Sequence, residues 1–416
     1  MSNEMRLQAQ KAKKAAYQLM NISTNQKNDF LLTLARRLET ESFQVQTENQ
    51  KDVEAAQEAH QKSGFIDRLF LNEKRIGGMA DGLRQVAVLP DPVGEVVEGW
   101  KRPNGLVVTK VRVPLGVLAI IYEARPNVTI DSIGLGIKSG NTLLLRGSSS
   151  TLHSNRILAG LAREALRQCS LPEDAIQLVE STSHDDISQL LSLRDCIDVA
   201  IPRGGASLIA NVIKNSQVPV IETGAGNCHV YVDRTANLKM AELIIVNAKT
   251  QRPSVCNAAE TLLVHRDIAP QFLPVVLEVL QRKGVEIRGC QQTLQFIPGL
   301  VPATEDDWKT EYLDLILAVR VVNSLSDAIE HINTYGSRHS EAIVTENYAN
   351  ARVFLDGVDA AAVYVNASTR FTDGEQFGLG AEIGISTQKL HARGPMGLKE
   401  LTTTKYVVYG SGQIRE

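Results

Sequence analysis

The chain has 416 residues, of which 43% are hydrophobic, 22% charged and 5% aromatic. That is the make-up of an α/β protein of about two to three domains. A formal net charge of −3 argues against a general binder of nucleic acid or of membrane surfaces, and no apolar run approaches the roughly 20 residues a bilayer span needs.

Residues 1 to about 90 read as helical. Phe30, Leu31, Leu34, Ala35 and Leu38 recur at helical spacing with charges on the other face. The N-terminus lacks a signal-peptide h-region. Leu89-Pro90-Asp91-Pro92-Val93-Gly94 closes this region. Segments 95–100 and 106–113 then read as a hairpin, turned by Asn104-Gly105. An isolated hairpin is marginal in water, so it must dock on something.

From residue 115 the pattern alternates. Strands are expected at 117–122, 142–146, 176–179, 197–201 and 218–221, with helices between them, including 128–139 and 151–168. Such βαβα order implies a doubly wound parallel sheet. A second alternating block runs from about 230 to 365, with apolar runs at 261–265, 315–322, 342–345 and 361–365. The tail 401–409 is strand-like again and is expected to pair with the hairpin, of its own chain or of a neighbouring subunit, and the arm so formed to pair across subunits. The five cysteines, Cys169, Cys196, Cys228, Cys256 and Cys290, show no C-x-x-C spacing, and the eight histidines no ligand spacing. Neither a disulfide framework nor a metal site is expected, and a reducing cytoplasm fits.

Cys256 lies in Arg252-Pro253-Ser254-Val255-Cys256-Asn257-Ala258, at a junction between a helix and an apolar run. A core thiol usually lies inside an apolar run, so the position admits either a core thiol or a nucleophile. Glu222, in Ile221-Glu222-Thr223-Gly224-Ala225-Gly226, ends a predicted strand at a Gly-rich turn and favours a cleft. Arg146-Gly147-Ser148-Ser149-Ser150 is either a plain helix cap or a phosphate site. In the second case Arg146 would read a ribose 2′-phosphate. Pro202-Arg203-Gly204-Gly205 is a second candidate turn. Neither turn carries G-x-G-x-x-G, so the usual dinucleotide mode is not expected. Asn127 is either an N-cap or an oxyanion donor. Glu311 is either a surface charge or a ribose acceptor. The polar run His331 to Glu341 suggests a loop.

Three stretches carry a resemblance that spans nearly the full length. They are Gly82-Leu83-Arg84-Gln85 with Leu89 to Gly94, Tyr122-Glu123-Ala124-Arg125-Pro126-Asn127-Val128-Thr129, and Arg252 to Ala258. Ala328, His331-Ile332 and His339-Ser340-Glu341 extend it. The chain resembles the gamma-glutamyl phosphate reductases, a branch of the aldehyde dehydrogenase superfamily. The resemblance implies an α/β fold of two doubly wound parallel-sheet domains with a β-hairpin oligomerisation arm. It implies an NADPH-binding domain (1–93 and 114–230), an arm (94–113 and 401–416), a catalytic domain (231–365) and a substrate-loop segment (366–400) returning towards the cofactor domain.

Cys256 then matches the nucleophile, Asn127 the oxyanion amide, and Glu222 the carboxylate lying 34 residues before the cysteine. In hydrolytic relatives that carboxylate activates water, which here would waste a thioester. Its task is therefore proton shuttling, organising the turn, or none. Arg146, Ser148, Gly204, Gly224 and Glu311 are implied to hold NADPH/NADP, and Arg125, Arg370 and Ser368 the substrate. The implied reaction reduces L-glutamyl 5-phosphate to L-glutamate 5-semialdehyde through a cysteine thioester, the second step from glutamate to proline. A homodimer or homotetramer is implied, with functional coupling to glutamate 5-kinase. The rival classes are a hydrolytic or CoA-acylating aldehyde dehydrogenase and a non-catalytic relative.

Overall fold

The strands of the computed structural model, in chain order, are β1 Val96–Lys101, β2 Val107–Pro114, β3 Val117–Tyr122, β4 Thr142–Arg146, β5 Ile176–Leu178 and β6 Val199–Arg203. There follow β7 Cys228–Val232, β8 Ala259–His265, β9 Glu286–Gly289, β10 Val301–Pro302, β11 Ile316–Val322 and β12 Ser340–Val344. The last are β13 Ala362–Val365, β14 Ile385–Ser386, β15 Gly394–Pro395 and β16 Thr402–Tyr409. The structure describes residues 3–181 and 183–415. Among them no helix is long and apolar enough to cross a membrane.

The chain forms two units. The first runs up to Thr223 and adds Gly378–Gly384 and the chain from Met396 onward. Its parallel sheet has the order β5-β4-β3-β6. All six residues of β3 are buried, as a strand covered on both faces requires. The N-terminal segment is helical. In helix Thr24–Thr40 the residues Phe30, Leu31, Leu34, Ala35 and Leu38 are all buried, and Ser23 with Gln26 closes a capping box.

The expected strand at 218–221 is only an isolated bridge between Ala200 and Val220. The Pro219 carbonyl accepts from Ala200 at 2.9 Å, but proline has no N–H with which to extend a ladder. The hairpin pairs β1 with β2 around Gly105 at φ +93°, where a left-handed residue is needed. The tail takes the first of its two expected partners. β16 runs antiparallel to β2 of its own chain, from Thr402 opposite Pro114 to Tyr409 opposite Val107. It completes a three-stranded sheet β1-β2-β16.

The second unit comprises Gly224–Phe377 and Ile385–Pro395. Its seven strands have the order β10-β9-β11-β8-β7-β12-β13, all parallel. The sequence reading placed the change of domain near 230, whereas contacts divide the chain after Thr223. Segment 366–400 is shared between the units. The strand starts are in register: Cys228 lies opposite Ala259, His229 opposite Glu341, and Ser340 opposite Ala362. The residues just before β7, β8, β12 and β13 therefore lie along one edge of the sheet.

Candidate active site

Cys256 occupies the turn between helix Leu238–Thr250 and β8. Its side chain is half-buried, and Asn257, Ala258 and Ala259 behind it are buried. The turn is clamped from the β7 side. A Cβ on Gly226 would lie 1.4 Å from the Cys256 carbonyl oxygen and 2.6 Å from its Cα, so only glycine allows this approach. The Cys228 thiol donates to the same carbonyl at 3.2 Å. Burial pushes the Cys228 thiol well above its ordinary range, and the Glu341 carboxylate adds to the effect. Cys228 is therefore a protonated donor, and its scaffold role separates it from Cys256.

The predicted substrate segment is fastened to this turn. The Asn257 amide donates to the Arg370 carbonyl at 3.3 Å and the Thr372 carbonyl at 2.9 Å. The Thr369 hydroxyl returns a bond to the Asn257 carbonyl at 2.8 Å. Ser368 is buried and accepts from the Arg370 N–H at 3.3 Å. Arg370 Nε donates to Gln251 Oε1 at 2.9 Å. Glu311 and the Gly224 turn also meet here. Glu311 Oε1 accepts the Gly226 N–H at 2.7 Å, and the Gly224 N–H donates to the Ile385 carbonyl at 3.0 Å. So Glu311 is not a mere surface charge; one of its oxygens orders the glycine turn that grips Cys256.

In the run His331 to Glu341, expected as a loop, only residues 336–339 link a helix to a strand, and His331, Ile332, His339, Ser340 and Glu341 are buried. His331 belongs to helix Leu325–Tyr335, and β12 begins at Ser340. Glu341 is buried and accepts from the His229 backbone N–H at 2.7 Å, with His229 Nδ1 at 2.9 Å. Burial raises the Glu341 carboxyl, against the pull of His229. His339 Nδ1 lies 2.8 Å from Ser340 Oγ, whose hydroxyl donates to Thr372 at 2.6 Å. The polar density is a buried scaffold beneath the site, tied to His229 and Thr372, while His331 Nε2 and Glu341 Oε1 find no hydrogen-bond partner among the described residues. Sequence reasoning also missed Asn257 and Gly226, which shape the Cys256 turn. Their polar or glycine identity beside Cys256 was the available signal.

The first unit holds the other predicted residues. Asn127 is not an N-cap. Pro126 caps the helix Asn127–Lys138, and Asn127 Nδ2 donates to Asp131 Oδ2 at 2.9 Å. One amide N–H is thereby anchored and the other is left to donate elsewhere. Burial pushes the Asp131 carboxyl up to about 6, against the Asn127 bond and the Arg203 charge. Arg125 is exposed and Glu222 half-buried.

Arg146 ends β4, is buried, and donates to the Ser183 carbonyl at 3.2 Å. Burial lowers its guanidinium, while Asp186 opposes this. Ser148 makes no side-chain cap; its hydroxyl pairs with that of Ser150 at 2.5 Å. A guanidinium and two hydroxyls at a strand end form a donor set that fits a ribose phosphate. At Gly204 the fit fails for a pyrophosphate on the helix Ala206–Asn215. Its N-terminal Gly205 N–H is taken by the Glu123 carboxylate at 2.9 Å, and a Cβ on Gly204 would lie 2.7 Å from the same carboxylate.

Residues 2–288 match the model of the aldehyde dehydrogenase family. Gamma-glutamyl phosphate reductase of Carboxydothermus hydrogenoformans is 61% identical over 407 residues, covering 98% of each chain. The crystal structure of gamma-glutamyl phosphate reductase from Thermotoga maritima aligns with TM-score 0.97 at 52% identity, covering 100% of both chains. That from Saccharomyces cerevisiae aligns with TM-score 0.56 at 32% identity, covering 100% of this chain and 99% of the other.

Proposed function

This chain belongs to the aldehyde dehydrogenase family, in its gamma-glutamyl phosphate reductase branch, and from that premise we propose that it reduces L-glutamyl 5-phosphate to L-glutamate 5-semialdehyde with NADPH. The reading rests on one observation above all. A half-buried Cys256 is held in a turn gripped by Gly226, Cys228 and Asn257, and a half-buried loop bearing a guanidinium is bonded to that turn.

The Cys256 sulfur attacks the γ-carbonyl carbon; the C–O bond to phosphate breaks and a thioester forms. Positive charge from Arg370 beside it favours the sulfur anion. When bound, reduced nicotinamide supplies a hydride to the thioester carbon. Asn127 donates its second amide N–H to the oxyanion formed at each step. The thiohemiacetal then releases the aldehyde and restores the Cys256 thiol. Glu222 shuttles the thiol proton or only organises its turn.

Arg146 and Ser148 would hold the 2′-phosphate of the cofactor, and Glu311, through its second oxygen, the nicotinamide ribose beside the Gly224 turn. Gly204 would serve only once Glu123 moves off the helix start. Arg125, Arg370 and Ser368 take the charged ends of the substrate. The sheet β1-β2-β16 serves as the arm of a homodimer or homotetramer. The enzyme works in the cytoplasm, coupled to glutamate 5-kinase.

The test runs in reverse. Purified protein with glutamate 5-semialdehyde should reduce NADP⁺ only when phosphate is present. Cys256→Ser should lose essentially all turnover yet stay folded, and alkylation should modify Cys256 before the other cysteines. Phosphate-independent or CoA-dependent turnover would favour the rival dehydrogenase classes, and an active Cys256→Ser would end the thioester mechanism.

A further inference from the structure

Two guanidiniums crowd the nucleophile turn. The Arg370 bond to Gln251 at 2.9 Å places it against the residue preceding Arg252. The Asn257 and Thr369 bonds keep it there. Burial, and next the like charge of Arg252, lower the Arg370 guanidinium; Cys256 and Asp373 act in the opposite sense. Among the described residues neither Arg252 nor Arg370 forms a salt bridge to a carboxylate. Elsewhere in this unit a comparable crowd of cations has its counter-ion. Lys389 and Arg393 each lie 2.8 Å from Asp359, with Arg338 at 4.0 Å.

Like charges side by side repel unless an anion lies between them. Two forked cations offer more charge and more donors than a single carboxylate uses, but they match a dianion with three terminal oxygens. Resting on the function proposed above, we infer that Arg252 and Arg370 together form the phosphate site of this enzyme. They receive the phosphate as it leaves the acyl carbon, and they present inorganic phosphate to the thioester in reverse. In the forward step the sulfur–carbon bond forms, the carbon–oxygen bond to phosphorus breaks, and phosphate takes the electron pair. In reverse a phosphate oxygen attacks the thioester and the Cys256 thiolate leaves. No electrons are exchanged with an outside agent in either step. Arg252, which sequence reasoning left without a role, becomes a residue that selects for phosphate over water or a thiol as acyl acceptor.

Transient kinetics isolates the step. Mixed with glutamate 5-semialdehyde and NADP⁺ but no phosphate, the wild type should give a single burst of NADPH as the thioester forms. Inorganic phosphate should then permit turnover. Arg252→Met should retain the burst amplitude yet raise the KM for phosphate about 10- to 100-fold, the loss of one charge-assisted contact. The KM for the semialdehyde should change less than about twofold, and Arg252→Lys should recover part of the loss because it restores charge without the fork. Arg252 is exposed, so thermal stability should stay put.

A normal phosphate KM in Arg252→Met with an intact burst would overturn the inference. So would a raised semialdehyde KM with phosphate unaffected, which would make the pair a carboxylate site. A wild type with no burst would instead remove the thioester reading itself.

Discussion

Gly226→Ala tests the clamp on Cys256. The new Cβ would start 1.4 Å from the Cys256 carbonyl oxygen and 2.3 Å from its carbonyl carbon. Relief to ordinary contact requires the two backbones to part by about 2 Å, given carbon–oxygen contact near 3.4 Å. The glycine side has little freedom. Its N–H is bonded to Glu311, and the next residue, Asn227, is held by Ser337, the Trp308 carbonyl and the Tyr335 carbonyl at 2.8–2.9 Å. The Cys256 turn therefore moves instead. A misplacement of about 1 Å costs on the order of 100-fold in rate, near 2.7 kcal/mol of barrier, so kcat should fall at least that far. The assay is phosphate-dependent NADP⁺ reduction, with circular dichroism and thermal unfolding on the same sample to separate a displaced nucleophile from an unfolded one. Gly160→Ala is the control. It lies in helix Leu152–Gln168 with nothing within 4 Å of the new methyl, so activity should hold and stability should rise slightly, by about 0.5–1 kcal/mol. Gly226→Ala with wild-type turnover and an unchanged melting temperature would refute the argument.

Lys249 and Glu260 form a fully buried pair at 2.5 Å. Burial raises the Glu260 carboxyl and Lys249 holds it down. Glu260 already sits at about 7 against the pull of Lys249; in Lys249→Met that pull is lost, the folded carboxyl stays protonated, and above pH 7 the variant's deficit should grow by up to about 1.4 kcal/mol per pH unit. A folded pKa raised above the unfolded one gives stability that is complete below the unfolded value and lost as pH rises. The deficit measured by urea unfolding should therefore be smaller at about pH 5.5 than at about pH 8. A pH-independent deficit would show that Glu260 stays ionised, and Lys249→Met with Glu260→Leu should recover most of the loss. Arg146→Ala should raise the KM for NADPH by roughly tenfold or more while sparing NADH. Equal effects on both cofactors would show that Arg146 does not read the 2′-phosphate.

Sequence alone determined what is local. Periodicity placed the buried face of helix Thr24–Thr40, because side chains three and four apart share a face. Asn104-Gly105 placed the hairpin turn, and the alternating apolar runs placed most of the parallel strands, because each signal is complete within a few residues. The residues around Cys256 left it open as a core thiol or a nucleophile, because a thiol's task depends on neighbours the local sequence does not name.

Tertiary structure decided what depends on distant partners. Glu311 looks like a surface charge until the fold brings the Gly226 N–H to it from 85 residues away. His339-Ser340-Glu341 reads as a loop because its polar atoms suggest water. In the fold those atoms find His229 and Thr372 instead, and the segment is buried. The tail's partner could not be read from its pattern, since an open strand edge suits its own hairpin or a neighbour's equally; the backbone path of one chain settles it on β2. Likewise Arg252 becomes informative only when Arg370, 118 residues later, is set beside it, because repulsion between two cations is a property of distance in space.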